Sequence, residues 1–187
     1  MSDKLNKYMQ ASLDQGPLLR TAFIGQAMPR NKLTPHDWPS LNQWLYSVGI
    51  TGDDIERHFL YSALVGYFPG AVNGSHIAPS KEDIDDERQR LKESLMAFGP
   101  EVVVPVGKLS ILSCLNESGG PLSKYIGNWY MANPYGLYGR ELPIVPLPHP
   151  SGASTWVYID GHRELLNTAL LLLCVVVNGK IPTEGRH

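Results

Sequence analysis

The run Glu101-Val102-Val103-Val104-Pro105-Val106-Gly107 holds nothing but apolar residues between its glutamate and its glycine. A strand with one wet face alternates apolar and polar side chains, whereas an unbroken apolar run suits a strand covered on both faces, as in a parallel sheet. Three other stretches share the form and stop at turn residues. They are Arg20-Thr21-Ala22-Phe23-Ile24 before Gly25, Phe59-Leu60-Tyr61-Ser62-Ala63-Leu64-Val65 before Gly66, and Leu142-Pro143-Ile144-Val145-Pro146-Leu147 before Pro148-His149. The prolines weaken the runs at 101–107 and 142–147 slightly as strands, because proline cannot donate to a ladder.

Helical patterns lie between these runs. A weak one covers residues 4–13. The next starts at Ser40, an N-cap with Gln43 three residues on, and sets Leu41, Trp44, Leu45 and Val48 at helical spacing. A third has Ser80 as its N-cap, Asp83 three residues on, and a stripe of Ile84, Leu91, Leu95 and Phe98 that Gly99-Pro100 ends. Residues 108–115 predict a short helix, and residues 162–177 a largely buried one. Helices alternating with parallel strands predict one α/β domain over residues 1–187, a three-layer sandwich around a central, mostly parallel four-stranded sheet.

Composition narrows the classes. The 187 residues hold only two cysteines, Cys114 and Cys174, too few for a disulfide scaffold, a zinc site or an iron–sulfur cage. The longest apolar run, residues 169–177, is too short to span a bilayer, and the first residues lack a secretory apolar core. A reduced, cytoplasmic protein with no membrane partner, no metal and no cofactor is expected. Sixteen Lys and Arg against eighteen Asp and Glu exclude a wholly basic surface. Five of those acids fall within residues 82–87, which leaves the rest mildly positive and keeps nucleic acid open as a partner.

Ligands of such sheets bind beyond the carboxyl ends of the strands. The four ends supply Gly25-Gln26-Ala27-Met28-Pro29-Arg30-Asn31-Lys32; Gly66-Tyr67-Phe68-Pro69-Gly70 with a polar loop through Asn73, Ser75 and His76; Gly107-Lys108; and Pro148-His149-Pro150-Ser151-Gly152-Ala153-Ser154. Glycines, an imidazole, hydroxyls, aromatics and the cations Arg30, Lys32 and Lys108 on one edge suit a phosphate-bearing ligand with an aromatic base. Each piece also has a plainer use. The first turn is often only a tight turn, His149 between prolines can simply cap the sheet, and the acidic run reads as a solvated helix face. Lys108 at a helix start opposes the helix dipole, which favours a functional role.

Phe23-Ile24-Gly25-Gln26-Ala27 resembles the first motif of the uracil-DNA glycosylase superfamily, and Pro146-Leu147-Pro148-His149-Pro150-Ser151 its histidine-proline-serine motif. Phe68-Pro69-Gly70, Gly74-Ser75 and Pro79-Ser80, with the strand from Pro100 to Gly107, resemble the middle of its bacterial and archaeal families 4 and 5. Those families carry four cysteines around an iron–sulfur cluster. Family 4 has a glutamate where Gln26 stands, and a uracil-reading asparagine where Ser62 stands.

The resemblance implies hydrolysis of an N-glycosidic bond in DNA. His149 would stabilise the departing base, Gly25 to Ala27 would hold the base edge or the water, and Trp38 or Phe68 would stack on the flipped base. Asp37, downstream of the first motif, is the substitute acid for activating water. Arg30, Lys32, Lys108, Ser151 and Ser154 would meet phosphates, and Trp156 would fill the gap left by the extruded base. A monomer acting on damaged DNA is expected. Two other classes compete: a binding-only member of the same fold, and a serine hydrolase using Ser151, for which no Gly-x-Ser-x-Gly elbow exists.

Overall fold

The computed structural model describes residues 17–32, 34, 37–73, 75–150 and 155–181. Its strands are β1 (Thr21–Ala27), β2 (Phe59–Val65), β3 (Ala71–Val72), β4 (Ser75–His76), β5 (Val102–Pro105), β6 (Tyr130–Ala132) and β7 (Leu142–Ile144). Its helices are α1 (Pro39–Ser47), α2 (Gly52–His58), α3 (Lys81–Phe98), α4 (Lys108–Leu115) and α5 (His162–Val177). The expected helix over residues 4–13 lies outside the described residues.

All four apolar runs enter one sheet, in the order β2-β1-β5-β7-β6. The first four strands pair in parallel, and β6 adds an antiparallel edge through Tyr130↔Ile144 and Ala132↔Leu142. The sheet is therefore five-stranded, not four-stranded. A three-residue edge strand is too short for any periodic signal to show.

Side chains alternate across the strands, so each face builds its own core. Phe23, Val102, Val104 and Val145 pack with Leu41, Leu45, Ile55 and Leu173 from α1, α2 and α5. Ala22, Ile24, Val103 and Ile144 pack with Leu91, Leu95 and Cys114 from α3 and α4. That is the three-layer sandwich which unbroken apolar runs require.

Several local expectations shift. The first strand does not stop at Gly25 but continues to Ala27, because β2 runs on beside it in the pairs Gly25↔Ala63 and Ala27↔Val65. Ser40 does not cap α1; Pro39 occupies the first turn with Trp38 at the N-cap, as suits a residue whose φ is already helical. A further helix, α2, starts at a capping box between Thr51 and Asp54. The polar loop after Gly70 contains the hairpin β3–β4, with Asn73 at φ 51°.

The helix bounds at 108–115 and 162–177 agree with the periodicity, and α3 has the expected capping box and a left-handed Gly99 at its end. Among the described residues no helix is long and apolar enough to cross a membrane.

Candidate active site

Hydrogen bonds continue past the strands and tie their carboxyl ends side by side. Met28 N–H donates to the Val65 carbonyl (2.9 Å), Val106 N–H to the Ile24 carbonyl (2.8 Å) and Gly107 N–H to the Leu147 carbonyl (2.9 Å). Ser110, buried at the start of α4, adds a second bond to the Ile24 carbonyl (2.6 Å) and lies 2.8 Å from the Tyr135 hydroxyl. The peptide leading into Gly25 is thus held from two elements.

Above these ends lies a cleft of about 220 Å³, walled by Gln26, Lys32, Trp38, Phe68, His76 and His149 among others. A smaller recess of about 20 Å³ shares Gln26, Ala27, Trp38 and His149 and reaches Gly25, Ser62, Tyr61 and Phe23. Gly25 and His149, 124 positions apart in the chain, therefore face one space.

Aromatic rings form the wall. Tyr61 meets Phe23 edge-on at 5.2 Å and Trp38 edge-on at 5.9 Å. Its hydroxyl donates to Asn42 Oδ1 (2.6 Å), and burial holds the phenol well above its ordinary pKa, so it stays a neutral donor. Phe68 meets His76 edge-on at 5.2 Å and carries the Arg30 guanidinium at 4.8 Å from its centroid. Lys32 Nζ lies 4.7 Å from the centroid of Trp38.

Burial pushes the His149 pKa below its ordinary 6.5, and the nearby charges of His76 and Lys32 push the same way. The imidazole is neutral at neutral pH and can present one N–H donor. The sign for stability follows. On acidification through 6.5 the unfolded chain takes up this proton first, so the group's contribution to stability falls as pH drops from there toward the lowered value.

Gly107 forms the floor beneath that ring. Its backbone sits at φ 86°, ψ 158°, a region open essentially to glycine alone, and an added Cβ would stand 3.6 Å from His149 Cβ. Gly107→Ala is expected to cost about 1–3 kcal/mol, read as a lowered urea midpoint with an unchanged slope.

The remaining expected site residues fall elsewhere. Asp37 does not line the cleft; its carboxylate accepts from Thr34 N–H (2.8 Å) and Thr34 Oγ1 (3.2 Å). Lys108 is exposed on α4 and lines neither cavity. Trp156 stacks on His162 at 4.2 Å and 27°, also away from the cleft. Ser151 and Ser154 lie outside the described residues.

Conversely, Tyr61 and His76 join the walls without having been singled out. Tyr61 had a usable signal, since it stands next to Ser62 within β2 and follows the aromatic Phe59; His76 had only its place in the loop after Phe68.

The donor set does not fit an iron–sulfur cluster. Cys114 and Cys174 are buried in the cores on opposite faces of the sheet, and burial pushes the Cys114 thiol up to about 12. Among the described residues no group of three or more His, Cys, Asp or Glu is placed to hold a metal ion.

The aromatic and hydrogen-bonding cleft lies at the carboxyl edge of an open α/β sheet, the place where such sheets hold ligands. Residues 15–170 match the model of the Uracil DNA glycosylase superfamily, and the chain belongs to that superfamily. No individual curated protein matches the chain. Membership supports a uracil-DNA glycosylase-like function in general, with DNA as the partner.

Proposed function

We propose that this chain is a DNA glycosylase that hydrolyses the N-glycosidic bond of uracil or another deaminated base flipped out of the stack. The observation that carries the reading is the shared recess: a neutral, half-buried imidazole at His149 faces Gly25, Gln26 and an aromatic wall.

In the reaction the bond pair moves onto the base nitrogen while the sugar becomes cationic. Water then bonds through its oxygen to C1′ of the sugar, and its proton ends on the released base or in solvent. His149 donates to a carbonyl of the departing base, and backbone N–H groups of residues 25–27 hold the base edge. Trp38 or Phe68 stacks on the ring. Gln26 is neutral, so it orients water through its amide without the charge of a carboxylate, and DNA phosphates balance the sugar. Asp37, occupied by Thr34, serves the loop that carries Trp38. Arg30 meets phosphate. The chain is taken to act as a monomer in a reducing compartment, which its two buried thiols suit.

Oligonucleotides carrying uracil, hypoxanthine or xanthine, incubated with the protein and treated with alkali, test this. Strand breaks at uracil are expected. Intact strands for all three, with tight binding retained, favour a binding-only protein, a reading that the absence of a carboxylate at position 26 supports.

A further inference from the structure

Arg30 and Lys32 look alike in the sequence but differ in place. Arg30 is exposed and does not line the cleft. Lys32 is half-buried inside it, with its ammonium over the Trp38 ring. Lys32 is the one lysine or arginine lining the cleft among the described residues, and no Asp or Glu lines it. Position 26, which lines the same cleft, holds a neutral glutamine and no carboxylate.

We propose that Lys32 is a further catalytic residue: its ammonium faces the departing base and offsets the negative charge collecting there, which selects bases able to leave as anions. The assignment rests on the glycosylase reading given above. A positive charge fixed against an aromatic face in a partly desolvated cleft acts more strongly than the same charge on an open surface. His149 offers a neutral donor to the base but no net charge, so the two groups divide the work. The site is thereby built for the anionic side of the reaction, and among the described residues no Asp or Glu lines the cleft to protonate a poor leaving base, which disfavours unmodified adenine and cytosine. Lys32 also acts on His149 directly. Among the described residues lining the cleft and recess, the titratable or charged side chains facing that ring are Lys32, His76 and the neutral phenol of Tyr61.

Two pyrimidine probes test the charge without relying on cleavage: neutral uracil, and barbiturate, the same ring carrying a negative charge at neutral pH. Wild type is expected to bind barbiturate more tightly than uracil, read by tryptophan fluorescence, and Lys32→Met is expected to erase that preference. The same variant lowers single-turnover cleavage at saturating DNA about 10–100-fold. It also raises the pH at which the His149 ring titrates by NMR, while Lys32→Arg restores much of both. A phosphate contact alone would instead weaken DNA binding and flatten its salt dependence. If Lys32→Met keeps the wild-type saturating rate and barbiturate preference, the assignment is overturned while the glycosylase reading stands. If wild type shows a Lys32-dependent preference for barbiturate yet cleaves nothing, the glycosylase reading falls and the charge assignment stands.

Discussion

His149→Ala is expected to cleave a uracil-containing strand about 10²–10³-fold more slowly than wild type, a loss of roughly 3–4 kcal/mol from the transition state. The basis is geometric. The ring follows β7, shares the recess with Gly25 and Gln26, and is kept neutral chiefly by burial. Alanine deletes the donor and leaves the developing charge on the base without its hydrogen bond. The comparison is made in single turnover at matched DNA occupancy, so that binding does not enter. Affinity for undamaged DNA should change little, because phosphate contacts carry that term and vary with salt. Equal rates for the two proteins would remove His149 from the mechanism.

Phe23→Ala is expected to lose about 3–5 kcal/mol of stability, against a typical total of roughly 5–15. Phe23 is 2% exposed and packs against Phe59 at 5.1 Å and Tyr61 at 5.2 Å. It stands on the face of β1 opposite Ala22 and Ile24, so neither of those neighbours can refill the space. Its removal also takes away the support beneath Tyr61 and hence the edge contact that sets Trp38. Equilibrium urea unfolding reads the loss. A cost under about 1 kcal/mol would mean that the recess collapses to fill the hole, far outside the usual range for a buried phenylalanine.

The four parallel strands were legible because burial on both faces writes a plain signal, an unbroken apolar run such as Val102-Val103-Val104. The helix at 81–98 was legible for a local reason, a capping box at one end and Gly99 at the other. Elements without either signal escaped. The seven-residue α2 buries only Ile55, which is no stripe, although Thr51 and Asp54 stood at capping-box spacing. The β3–β4 hairpin was announced by Asn73-Gly74, a strong turn signal, but its strands are two residues each.

At the site, the residues read from strand ends (Gly25, Gln26, His149) line one recess, and so does Ser62, which lies inside β2 and entered through the resemblance. Residues beyond a loop were not placed by such reading. Sequence distance says nothing of whether Asp37 turns toward the cleft or toward Thr34, or whether Trp156 finds His162 first. The two cations of the first loop show the same limit, since two positions separate one that meets solvent from one that enters the cleft.

The sheet is not uniformly laced. Between β5 and β7 the bonds run from Val145 to Val103, from Leu147 to Pro105 and from Gly107 to Leu147, while position 105, being proline, sends none to the Val145 carbonyl. The strand that carries His149 is thus fastened with a rung missing one step before its functional end, and beyond it stands only the three-residue β6. Local opening draws on such weak seams before it reaches the centre of a sheet. The seam beside β7, and not the fully paired seam between β1 and β2, is therefore where local opening near His149 would start.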